Sequence, residues 1–254
     1  MALNTLIFDV DGTLADTERD GHRVAFNAAF AESGLDWSWD EAIYGELLQV
    51  AGGIERMVHY ARVYRGSTQS DAELHTLVQQ LHLSKTRHYV QCVVEGAVQL
   101  RPGVARLIGE ARAQGLRLAI ATTTTRANVI ALLRATLGID AVNWFAAIGT
   151  AQEVAAKKPD PAVYQWVLER LQVRASEALA LEDSRNGLLA ARRAGLPCVI
   201  TPTRYSADED FAEAAAQFAD LDHHPDKPGE PVTLDDLKLW QSRAVQATTG
   251  FSTR

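Results

Sequence analysis

Leu6-Ile7-Phe8-Asp9-Val10-Asp11-Gly12-Thr13-Leu14 decides how the rest of this chain is read. An apolar run breaks into two acids, a glycine and a threonine, which reads as a buried parallel strand running out into a polar loop. In open α/β sheets the ligand crevice lies outside the carboxyl ends of the strands. Two aspartates at such a point are placed for chemistry rather than packing.

Outward from this strand, the next eighty residues are helical. The region from Asp16 to Ala31 carries Val24, Ala25, Ala28 and Ala29 at helical spacing and stops at Gly34. Further helices are expected over Trp37–Gln49, Ile54–Tyr64 and Asp71–Val90, the last with Leu74, Leu77, Val78 and Leu81 along one face. Four helices inserted directly after a first strand predict a separate helical domain over residues 16–95, set into a core formed by 1–15 and 96–254.

From Pro102 helix and strand alternate, the pattern of a doubly wound parallel sheet. The spacing predicts helices over 104–114, 127–137, 161–171 and 185–194, and strands over 116–121, 145–148, 178–181 and 197–200. His223-His224-Pro225 belongs to a turn-rich tail loop for which no function is expected, and the end from Ala244 is expected to fray. No internal repeat is present.

The chain has 254 residues, 47% of them hydrophobic, enough for a substantial core. A net charge of −7 and the lack of a basic stripe argue against a nucleic-acid partner. Cys92 and Cys198 lie far apart and match no metal-ligand spacing, as in a reduced intracellular protein. Asp9 follows one short apolar run with no basic start or small-residue cleavage site, and no run approaches a membrane span. A cytoplasmic, monomeric protein with no membrane partner is expected.

The later strands end in residue types that complement the first motif: Thr122 after Ile120-Ala121, Lys158 before Pro159, and Glu182-Asp183-Ser184 after Leu181. Gathered at one sheet rim, Asp9, Asp11, Glu182 and Asp183 would repel strongly without a cation, and carboxylates with water suit Mg²⁺. Thr122, with its hydroxyl, and Lys158, with its compact charge, are what a phosphate oxygen needs. Thr123 to Thr125 are equally suited to capping the next helix.

These residues resemble the four ordered motifs of the haloacid-dehalogenase-like superfamily of phosphatases and phosphomutases. Asp9-Val10-Asp11-Gly12-Thr13 is similar to the first motif, Thr122 to the second, Lys158-Pro159 to the third, and Glu182-Asp183 with Ser184 and Gly187 to the fourth. The helical insert resembles that family's alpha-helical cap on a Rossmann-like core. Within the superfamily, Trp37-Ser38-Trp39, Gly52-Gly53 with Glu55-Arg56, and Ala121-Thr122-Thr123-Thr124 resemble the CbbY branch. That branch is associated with hydrolysis of xylulose-1,5-bisphosphate, an inhibitory by-product of the carbon-fixing enzyme Rubisco. Two departures fall in the insert. Ile54 stands where the branch carries Lys, and the Thr17–His22 loop is one residue longer.

The resemblance implies a mechanism and a site. Asp9 would be the nucleophile, forming an aspartyl-phosphate, and Asp11 the general acid and then base. Thr122, Thr123 and Lys158 would bind the transferring phosphate. Asp9, the backbone carbonyl of Asp11, Glu182 and Asp183 would hold Mg²⁺, with Glu182 open to a supporting role behind Asp183. The cap would choose the substrate through Glu18, His22, Tyr44, Gly52, Gly53 and Arg56, while Trp37 and Trp39 would be cap core. A β-phosphoglucomutase-like phosphomutase, a phosphoglycolate-type phosphatase and a non-catalytic sugar-phosphate-binding regulator are the competing readings of the same motifs.

Overall fold

The computed structural model describes residues 2–250. Six parallel strands form one sheet in the order β3-β2-β1-β4-β5-β6. They are β1 (Thr5–Phe8), β2 (Arg117–Ala121), β3 (Phe145–Gly149), β4 (Ala178–Glu182), β5 (Cys198–Ile200) and β6 (Ala216–Gln217). The order reverses between β1 and β4, so the switch point lies beside Asp9 on one strand and Glu182 on the other.

Strand periodicity sorts the core into two layers. Leu6 and Phe8, with Leu118, Ile120, Leu179 and Leu181, face α5 (Val104–Ala113), α6 (Arg126–Leu137) and α9 (Leu234–Gly250). Ile7, with Ala119, Ala121, Ala178 and Ala180, faces α7 (Ala162–Leu171) and α8 (Arg185–Arg193). The second face is alanine-rich, which lets those helices lie close to the sheet. Each fully buried Leu, Ile or Phe here contributes about 1.5–3 kcal/mol of transfer free energy.

Between β1 and β2 lie α1 (Arg23–Glu32), α2 (Glu41–Leu47), α3 (Gly53–Val63) and α4 (Asp71–Val94), packed around Phe26, Phe30, Trp39, Tyr44, Met57 and Tyr60. Trp39 is fully buried and Trp37 packs on Phe30 and Tyr60, so both are core, as expected. Ser70 and Glu73 form a reciprocal capping box that starts α4.

The helical reading needs correction in four places. The first helix begins at Arg23, preceded by a π-helical turn over Glu18–His22. Its buried face is Ala25, Phe26, Ala29 and Phe30, while Val24 is 40% exposed. The second starts only at Glu41, because the Asn27 amide takes the backbone of Trp39 by a pair of 2.8 Å bonds and Asp40 then caps Ile43. The tail is not simply frayed: Thr233 and Asp236 cap α9, which lays Leu234, Leu237 and Trp240 on the sheet, and His224 is buried against Asp236 and Trp240. Residues 251–254, the end of the segment expected to fray, lie outside the described residues.

His82, on α4, has its pKa lowered to about 4 by burial, with Lys85, His22 and Lys157 adding to the effect. Its folded-state value lies below the unfolded one, so the native state binds fewer protons and is destabilised as pH falls from about 6.5 to 4, by up to about 3 kcal/mol. Urea titrations across that window should show this loss shrinking in His82→Gln. An equal pH slope in both proteins would refute the assignment.

Candidate active site

At the switch point Asp9, Glu182 and Asp183 converge, each buried, with one carboxylate oxygen apiece within 4.8 Å of the others. Asp9 extends β1, its N–H donating to Leu181 O at 3.0 Å, and Glu182 is the last residue of β4. Lys158 lies between them. Its ammonium donates to Asp9 Oδ1 at 2.5 Å, Glu182 Oε1 at 2.6 Å and the carbonyl of Ala121 at 2.8 Å, so its three protons are all used. Tyr164, from α7, donates to the same Glu182 oxygen at 2.5 Å.

One ammonium among three buried carboxylates leaves an excess of negative charge. Burial pushes Asp9 up to about 8 despite the opposing pull of Lys158, and burial together with Asp9 and Glu182 pushes Asp183 well above the usual carboxylate range. Glu182 Oε2 is buried without a partner. Two glycines make the approach possible: a Cβ on Gly12 would stand 2.2 Å from Asp183 Oδ2, and one on Gly187 would stand 1.9 Å from Glu182 Oε2. A hard divalent cation fits this set of acids in charge and donor type.

Asp11 lies in the same loop but in a different electrostatic setting. Thr17 donates to its Oδ1 at 2.7 Å and His22 Nε2 lies 2.9 Å away. His22 Nδ1 is 2.8 Å from Lys85 Nζ, which can only donate, so the Nε2 nitrogen carries the proton and donates to Asp11. Burial works against ionisation, but His22 and Thr17 overcome it and hold Asp11 at about 2. Lys85 is itself lowered to about 8, chiefly by burial. His22 is buried against the Tyr89 ring and bonded to Asp11, and it lines the larger of two cavities at the site.

The remaining expected residues except Tyr44, which is fully buried, line two cavities of about 130 and 270 Å³ that share Asp11, Glu18, Gly52, Arg56 and Thr123. Thr122 is buried, and its hydroxyl accepts from Thr124 N–H at 3.3 Å. Tyr44 donates to Glu18, and Arg56 donates to Tyr44 Oη at 3.2 Å and to Leu47 O at 3.0 Å. Gly52 has φ +97°, and its open side is taken by the Lys157 ammonium, which pairs with Glu55. The missing side chain at Gly52 thus leaves room for the Lys157–Glu55 ion pair, and Gly52, Gly53 and Lys157 line the larger cavity together.

Tyr164, Lys85 and Thr17 are the site residues that sequence reasoning missed. Thr17 lies six residues after Asp11 and is within reach of local inspection. Tyr164 and Lys85 carry no local signal, since one depends on α7 packing beneath β4 and the other on α4 crossing the first motif.

Residues 3–195 match the haloacid dehalogenase-like hydrolase family. The chain belongs to that family, and within it to the CbbY branch of phosphatases. It is 53% identical over 230 residues to the plasmid-encoded protein CbbY of Cupriavidus necator, covering 91% of this chain and 89% of that one. To protein CbbY of Rhodobacter capsulatus it is 51% identical, covering 87% and 95%. The crystal structure of CbbY from Rhodobacter sphaeroides in complex with phosphate superposes with a TM-score of 0.79 at 44% identity, over 86% of this chain and 94% of that one. A point variant of that protein has been solved with xylulose-(1,5)bisphosphate at the same TM-score, identity and coverage.

Because Asp9 at about 8 is protonated at neutral pH, cation binding should expel a proton, and Mg²⁺ affinity should rise with pH and level off above about 8. Calorimetry in buffers of different ionisation enthalpy reads this proton release directly. Affinity independent of pH, with no proton released, would contradict the electrostatics described above.

Proposed function

We propose that this chain is a Mg²⁺-dependent phosphatase that hydrolyses xylulose-1,5-bisphosphate to xylulose 5-phosphate through an aspartyl-phosphate on Asp9. The observation that carries the reading is the buried Asp9–Lys158–Glu182–Asp183 cluster at the sheet's switch point, roofed by the inserted helices. The substrate choice is supported by the Rhodobacter sphaeroides CbbY variant in complex with xylulose-(1,5)bisphosphate. Residues 16–95 would act as the cap over a core of 1–15 and 96–254.

Asp9, Glu182, Asp183 and the Asp11 carbonyl would hold Mg²⁺, which when bound offsets the repulsion between an anionic nucleophile and a dianionic phosphate. Asp9 attacks phosphorus in line, and Lys158, already fixed against the nucleophile, stabilises charge on the transferring group together with the Thr122 hydroxyl. Glu18 and Arg56 line the cavity and would bind the sugar and its distal phosphate, with the buried Tyr44 hydroxyl bonded to both.

Asp11 must donate a proton to the leaving sugar oxygen, yet its carboxylate is ionised in this arrangement. The Lys85–His22–Asp11 chain supplies one. Lys85 passes a proton to His22 Nδ1 as the Nε2 proton moves to Asp11 and on to the leaving oxygen, and the chain refills when Asp11 takes the proton of the hydrolytic water. A Lys already lowered to about 8 can enter such a relay near neutrality.

Asp9→Asn should fold and show no turnover, measured as phosphate release. Lys85→Met should lose about 10²-fold or more on the sugar bisphosphate, whose alkoxide needs a proton, but under about 10-fold on an aryl phosphate, whose phenolate does not. Equal losses on both substrates would remove Lys85 from the proton path.

A further inference from the structure

Arg101 stands where the helical insert returns to the core. Its backbone N–H donates to Leu14 O at 2.9 Å, and the preceding Leu100 bridges to Ala15, so the two crossings between insert and core lie side by side. The guanidinium then reaches behind the acidic cluster. One nitrogen donates to Gly12 O at 2.5 Å, to Thr201 Oγ1 at 3.0 Å and to the Thr201 carbonyl; the other donates to Pro202 O at 3.0 Å and Ala219 O at 2.8 Å.

Each of the first two loops leads directly to an acid. Gly12 is the residue whose missing side chain leaves room for Asp183 Oδ2, and it follows Asp11 in the loop that leaves β1. Thr201 N–H donates to Glu182 O at 2.8 Å, and Ser206, tied to Thr203 by a 3.0 Å bond, donates to Asp183 O at 2.6 Å. One planar cation thus joins the loops after β1, β5 and β6, and the β5 loop in turn holds the backbone of Glu182 and Asp183.

We propose that Arg101 is a positioning residue for the acidic cluster, clamping the Gly12 loop to the Thr201–Pro202 loop so that Glu182 and Asp183 meet Asp9 at cation-binding distance. The proposal rests on the phosphatase reading only for its kinetic arm, since metal binding alone can test it. Lysine cannot substitute. A single ammonium with three protons at one point does not span acceptors on both sides of a planar fork.

The test is calorimetric Mg²⁺ binding to the full-length protein and to Arg101→Lys and Arg101→Ala, with kcat and KM for an aryl phosphate at saturating Mg²⁺. Both variants should bind Mg²⁺ at least about tenfold more weakly and lose kcat, with KM nearly unchanged. Millimolar methylguanidinium should restore part of the affinity of Arg101→Ala, and methylammonium should not. A folded variant that binds Mg²⁺ within about twofold of the parent overturns the proposal, as does a Lys variant equal to the parent. Failure of both variants to fold would also overturn it, marking Arg101 as a general structural residue. If the parent binds Mg²⁺ but releases no phosphate, the functional reading fails, while the metal-binding comparison still decides the role of Arg101.

Discussion

The site depends on one buried ammonium. Lys158 sits between Asp9 and Glu182 at the point where strand order reverses, and its third proton is held by the Ala121 carbonyl at the end of β2. Three neighbouring strands are tied through a single nitrogen. A buried pair is no strong source of net stability, but leaving two carboxylates without their cation would cost about 3–5 kcal/mol. Each acid restricts where the others can be, so the cluster constrains the loops around it.

Two aspartates separated by one residue behave in opposite ways for the same reason. Asp9 is raised to about 8 by burial and by the neighbouring acids against the pull of Lys158, whereas Asp11, despite burial, meets the N–H of His22 and the hydroxyl of Thr17 and falls to about 2. Thr17 and His22 belong to the insert side of the crossing, and Asp9, Lys158 and Glu182 to the sheet side. Asp9 is therefore tuned chiefly by groups of the sheet side and Asp11 by groups of the insert.

Much of this was legible in the sequence because it is local or periodic. The strand-then-acid pattern located Asp9, Glu182 and Asp183, the ordered motifs added Thr122 and Lys158, and the structure brings all five to one rim. What was not legible came from long-range geometry. Lys85 is 63 residues from His22, Arg101 is 100 from Thr201, and neither spacing carries a period. The capping signal Thr233-Leu234-Asp235-Asp236, followed by Leu237 and Trp240, was readable, and α9 could have been found from it. The helix expected from Trp37 begins at Glu41 because the Asn27 amide, twelve residues away, takes the Trp39 backbone out of any helix.

The turn that links the first motif to the insert is π-helical over Glu18–His22, a geometry frequent at functional sites. Such a turn shifts the angular position of side chains on either side of it. Glu18 at its start then faces Tyr44 and the cavity, while His22 at its end faces Asp11 and Lys85. Both side chains line the same cavity, so one turn of chain supplies it with a carboxylate bonded to Tyr44 and an imidazole bonded to Asp11.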